Sequence, residues 1–141
     1  MKRIISTFFA LTLLFSCCCS ASASNIPETW ASSTLSSYSA ELYEGDSSGT
    51  LRVNFSVKSG HRADLIGITS IKIYKSNGTY VKTIRGSEEN GLIRSNSNLH
   101  TGDYEIDLTS GSSFYIKATV FAEVGSDYDS RTIITKTVKV P

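Results

Sequence analysis

Aromatic and acidic side chains are the residues of this 141-residue chain whose types and spacing could do chemistry. Tyr74 and Tyr80 flank Asn77-Gly78, and Tyr115 and Phe121 lie an even number of residues apart in an alternating stretch. Exposed aromatics of this kind stack on sugar rings or anchor a partner, so Tyr74, Tyr80, Tyr115 and Phe121 are candidate ligand-binding residues. The competing reading is that they pair across strands and cover the sheet. Glu123, Asp127 and Asp129 form a weaker candidate, a calcium site, because calcium takes several hard oxygen ligands. The nearby Arg131 offers Asp129 a simple ion contact instead. His61 and His100 are the only imidazoles and are expected in loops without a catalytic role. With all three Cys at positions 17–19 and no His pair at ligand spacing, zinc is disfavoured and no cofactor is implied.

The cysteines belong to an export region. Lys2 and Arg3 precede a largely apolar run from Ile4 to Phe15, which suits a signal-peptide core and is too short to span a bilayer. Ala21-Ser22-Ala23 offers small side chains for cleavage, giving a mature chain from Ser24. Leu14-Phe15-Ser16-Cys17 offers a second route, lipidation of Cys17 and a membrane anchor. The expected division is a signal peptide over 1–23, a leader over 24–36 carrying Trp30, and a folded domain over 37–141.

The whole chain has 14 basic and 13 acidic residues, and loss of Lys2 and Arg3 turns this into an acidic excess of one. Nucleic-acid binding by bulk charge is therefore not expected. A Cys-free exported domain of this size must rest on its hydrophobic core.

The elements that must position the candidate residues are strands. Tyr38, Ala40 and Leu42 alternate with polar residues, and Leu51, Val53, Phe55 and Val57 do so most clearly. Glu44 to Gly49 reads as a turn and Gly60 to Asp64 as a polar connection. Ile66, Ile68, Ile71 and Ile73 change parity midway, which predicts a bulge near Thr69-Ser70. Asn77-Gly78 predicts a type I′ hairpin leading into a strand over Tyr80 to Arg85. Gly86 to Ser97 is weakly patterned, with a short edge strand at Leu92-Ile93. Tyr104, Ile106 and Leu108 alternate, and Phe114 to Glu123 is expected to be the longest strand. Its inward set is Phe114, Ile116, Ala118, Val120 and Ala122, which puts Tyr115 and Phe121 outside. Gly125 to Ser130 reads as a loop, and Thr132 to Val140 as a last strand with Ile134, Val138 and Val140 on one face.

Seven or eight strands at this spacing predict an all-β antiparallel sandwich or barrel, and one local pattern favours the sandwich. Tyr104-Glu105-Ile106-Asp107-Leu108, Gly111 and Phe114 resemble the E–F corner of immunoglobulin-like and fibronectin type III domains, with Phe114 where those domains place a tyrosine. Leu51-Val53-Phe55-Val57, Asn77-Gly78, His100-Thr101-Gly102 and Asp129-Ser130-Arg131-Thr132 also resemble small secreted single-domain β proteins of Gram-positive bacteria. That resemblance implies export and a compact β domain and carries no functional residues. The expected function is a secreted, non-enzymatic module that meets an extracellular protein or glycan. A carbohydrate-binding module using the surface aromatics, and a lipid-anchored surface protein attached through Cys17, are the alternatives.

Overall fold

The computed structural model describes residue 32 and residues 34–141. The expected signal peptide, both cleavage sites, Cys17 and Trp30 lie outside the described residues. Seven strands follow in order: β1 (Leu35–Glu44), β2 (Thr50–Lys75), β3 (Tyr80–Arg85), β4 (Ile93–Asp107), β5 (Ser113–Val124), β6 (Asp127–Ile134) and β7 (Val138–Lys139). All pairings are antiparallel, and hydrogen bonds join the strands into one sheet. No helix occurs among the described residues.

β2 organises the fold. Its first half lies between β1 and the C-terminal half of β4. Its second half lies between β3 and β5. β5 then carries β6 and β7 on its far side. Apolar residues on one face of both halves of β2, from Leu51 to Ile73, join Ala40 and Leu42 of β1 and the inward set of β5 in a single core. Period-two alternation forces this outcome, because only one face of each strand can be withdrawn from water. The inward set of β5 is the expected one, and each member is at most 2% exposed.

Several boundaries differ from expectation. The polar run Gly60 to Asp64 does not interrupt the strand. Lys58 stands opposite Leu99 and Ala63 opposite Ser97, so β2 carries surplus residues that bulge outward while pairing resumes beyond them. β4 is one long strand rather than two short ones. It is largely exposed, with only His100 and Ile106 buried, so it lacks the apolar alternation that would announce it. The bulge at Thr69-Ser70 is present, as a register shift between Ile68 and Ser70.

The Asn77-Gly78 hairpin also forms, with a different turn. Gly78 alone takes a positive φ, of 87°, and its N–H donates to the Lys75 carbonyl at 2.8 Å. The Asn77 side chain accepts from Thr79 N–H, and Lys75 N–H donates to Thr79 O. The type I′ turn expected there needs positive φ at both central residues. The expected Gly125 to Ser130 loop shrinks to Gly125-Ser126, with β6 beginning at Asp127. Finally, Ile134 is 62% exposed, whereas Ile133, Val138 and Val140 turn to the core. Ile134 therefore does not share a face with Val138 and Val140.

Candidate functional site

Residues directly opposite in an antiparallel ladder project to the same side of the sheet. The outer surface of β3, β2, β5 and β6 can therefore be built row by row. In the first row Tyr80, Tyr74 and Tyr115 lie side by side on three strands. The second row is Thr83, Lys72, Lys117 and Ile134. The third is Arg85, Ser70, Thr119 and Thr132.

The tyrosines touch. The Tyr74 and Tyr115 rings are near parallel, at 12°, with centroids 5.3 Å apart. Parallel rings this close are offset-stacked, face against face. Tyr80 meets Tyr74 edge to face at 5.8 Å, and Lys117 Nζ lies 5.1 Å from the Tyr74 ring centre. The Tyr80 hydroxyl is within 2.9 Å of Thr83 Oγ1. Tyr74 and Tyr115 are half-buried, and Tyr80 is 54% exposed. The cluster is thus a fixed aromatic step beside two lysines rather than a flat platform of free ring faces.

Phe121, the fourth expected member, does not join them. Its neighbours Val120 and Ala122 point into the core, so its side chain leaves on the outer side as expected, yet it is 3% exposed. It stands opposite Gly67 and Ser130 and stacks on Tyr128 at 5.7 Å. The absent side chain of Gly67 and the cover of Tyr128 account for the burial. Phe121 is a packing residue and is removed from the binding set.

The acidic candidates are separated by register. Glu123 pairs with Tyr128 and projects outward, whereas Asp127 and Asp129 pair with Val124 and Ala122 and project to the other side. Asp129 contacts Arg131, which also donates to the Ser130 carbonyl at 2.8 Å. No set of three metal-ligating side chains converges among the described residues. The ion contact is the arrangement that forms.

His61 is exposed on the β2 bulge. His100 is a β4 core residue, not a loop residue, at 5% exposure. Its Nε2 lies 2.8 Å from Gly91 O. A carbonyl only accepts, so Nε2 carries the proton. The ring packs edge-on against Phe55 at 5.1 Å, and Nδ1 has no partner among the described residues. Burial pushes its pKa down, the Gly91 hydrogen bond opposes this, and Arg94 adds to the lowering.

One motif was hidden inside a turn. Gly45-Asp46-Ser47-Ser48-Gly49 has the spelling Gly-x-Ser-x-Gly. That motif aims a nucleophile only where a strand turns sharply into a helix. Here it joins two strands. Ser47 O accepts from both the N–H and the hydroxyl of Thr50, and Asp46 pairs with Arg52 at 3.0 Å. A groove between β1 and the end of β6, whose lining includes Leu42, Tyr43, Ile134 and Lys136, holds no histidine.

Comparison with protein-family models, curated proteins and solved structures returned no match.

Proposed function

We propose that the chain is an exported, non-enzymatic β-sandwich that binds an extracellular partner through the outer face of β3, β2 and β5. The observation that carries this reading is the row Tyr80–Tyr74–Tyr115, held by mutual ring contacts on adjacent strands. Rigid strands place aromatic anchors more accurately than loops, and clustered tyrosines supply contact area at low entropic cost. A two-layer arrangement of the immunoglobulin or fibronectin III kind is supported by the way β2 serves both halves of the sheet. It is also supported by the approach of β1 to β5, β6 and β7 without pairing.

The test is retention of the full exported chain on extracellular proteins and polysaccharides, compared with Tyr74→Ala and Tyr115→Ala. Retention of the parent, reduced about tenfold in either variant with folding intact, supports the reading. Equal retention of all three proteins overturns it. The glycan-binding alternative is favoured specifically by the hydroxyl-bearing row of Ser70, Thr119 and Thr132 on the same face, one row beyond the lysines. Mass spectrometry of the exported N-terminus separates secretion from anchoring: a chain starting at Ser24 supports the soluble form, and a diacylglycerol-modified Cys17 the anchored one.

A further inference from the structure

Lys72 and Lys117 stand directly opposite one another on β2 and β5, on the outer side. Like charges in directly opposed positions destabilise a sheet. Neither lysine is relieved by a carboxylate: the ion pairs among the described residues are Arg52–Asp46 and Arg131–Asp129. Arg85 adds a third cation in the next row, opposite Ser70. None of the three rows contains an acidic residue. The other outer surface is mixed, with Asp103 and Glu105 opposite Asn54 and Arg52, while Glu123 projects on the side of the lysines, three rows beyond them. Three cations thus sit beside the aromatic row with no acid in the same rows.

We infer that this face binds an anionic polysaccharide, with sugar rings against Tyr80, Tyr74 and Tyr115 and carboxylate or sulfate groups on Lys72, Lys117 and Arg85. The inference rests on the reading of this face as the binding surface and adds the chemistry of the ligand. Two opposed cations without a carboxylate partner are relieved by an anion placed across the row. Thr83 in the lysine row, and Ser70, Thr119 and Thr132 in the row beyond it, carry hydroxyls that can donate to or accept from sugar hydroxyls. Tyr74 and Tyr115 spend a face on each other, so a ligand meets their edges and the more exposed Tyr80. Base stacking by a nucleic acid is therefore an outcome of the test.

The test is affinity electrophoresis of the full exported chain in native gels containing polygalacturonate, dextran sulfate, uncharged dextran or poly(U), at about 50 mM salt and again at higher salt. The parent should be retarded by the two polyanionic glycans, and salt should weaken the retardation. Lys72→Gln/Lys117→Gln should lose about tenfold in affinity with an unfolding midpoint no lower than the parent's, because the core is untouched and the opposed charges are gone. Retardation by uncharged dextran alone, or equal retardation of parent and double variant, overturns the charge inference and leaves the tyrosine face standing. Stronger retardation by poly(U) than by either glycan overturns it in favour of nucleic acid. If no polymer retards the parent, the polysaccharide inference fails. The separate capture comparison of Tyr74→Ala and Tyr115→Ala then decides whether the face binds anything.

Discussion

A β-carbon on Gly67 would lie 2.1 Å from the carbonyl oxygen of Leu92, where β2 passes the start of β4. That oxygen accepts from Ile68 N–H at 2.7 Å, so it cannot retreat without breaking a strand contact. Gly67 also has φ 146°, a conformation that side chains avoid. Gly67→Ala should therefore cost at least about 3 kcal/mol, from the clash and backbone strain together. Thermal melting would register this as a fall of well over 10 °C for a domain of this size, by the usual ~4–8 °C per kcal/mol. A loss below about 1 kcal/mol would mean that β4 can move away freely.

What the sequence made legible follows from which contacts are periodic. Leu51 to Val57 and Phe114 to Ala122 alternate strictly, and that alternation alone identifies their inward faces. The N-terminal half of β4 escaped because its pairing is carried by backbone groups, while its side chains from Arg94 to Leu99 stay in water or at its edge. The tyrosine cluster was half legible. Parity placed Tyr115 on an outer face and the hairpin signal put Tyr74 and Tyr80 across a turn, but only the register shows that Tyr74 and Tyr115 are opposed, and that Lys72 and Lys117 are opposed beside them. Phe121 satisfied the same parity and still packs away, because parity reports a side of the sheet and not what covers it.

Phe121 and Tyr115 should consequently separate stability from binding. Phe121→Ala removes a nearly fully buried ring and its stacking on Tyr128, and should cost about 3 kcal/mol. Tyr115→Ala removes a half-buried ring and should cost about 1 kcal/mol while weakening ligand capture. Urea titration of both variants, set beside the capture assay, checks the contrast. A Phe121→Ala protein that is as stable as the parent but fails to bind would return Phe121 to the binding surface.

His100 should make the fold sensitive to mild acid. Its folded-state pKa lies below the ordinary value of 6.5, first because burial penalises the imidazolium. The unfolded chain therefore takes up the proton more readily than the folded one as pH falls below about 6.5. Stability is complete above that value and declines as pH drops through the interval down to the folded-state pKa. Melting temperature measured between about pH 7.5 and 5 should fall on the acid side, ahead of carboxylate titration. His100→Gln should be less stable at neutral pH and show a flatter slope below 6.5. An unchanged slope in that variant would assign the acid sensitivity to other groups.

The last two residues act as a clasp between two turns. The Pro141 carbonyl oxygen accepts from Gly49 N–H at 3.1 Å and from the hydroxyls of Ser48 and Ser110 at 3.2 and 2.7 Å. Val140 donates to Ser112 O and accepts from Gly111 N–H, and its side chain is fully buried. One short segment thereby ties the β1–β2 turn to the β4–β5 turn. Removing Val140 and Pro141 should cost about 3 kcal/mol, from the lost apolar burial and from donors left without acceptors. Hydrogen exchange should quicken at Gly49 and Gly111 and stay unchanged at Gly125, whose N–H is held instead by Asp64 at 2.7 Å. Val140→Ala alone should keep the backbone bonds and cost about 2 kcal/mol, with slower exchange at Gly49 than in the truncated chain. Uniformly faster exchange at all three glycines in the truncated chain would mean that the segment supports global stability and is not a local clasp.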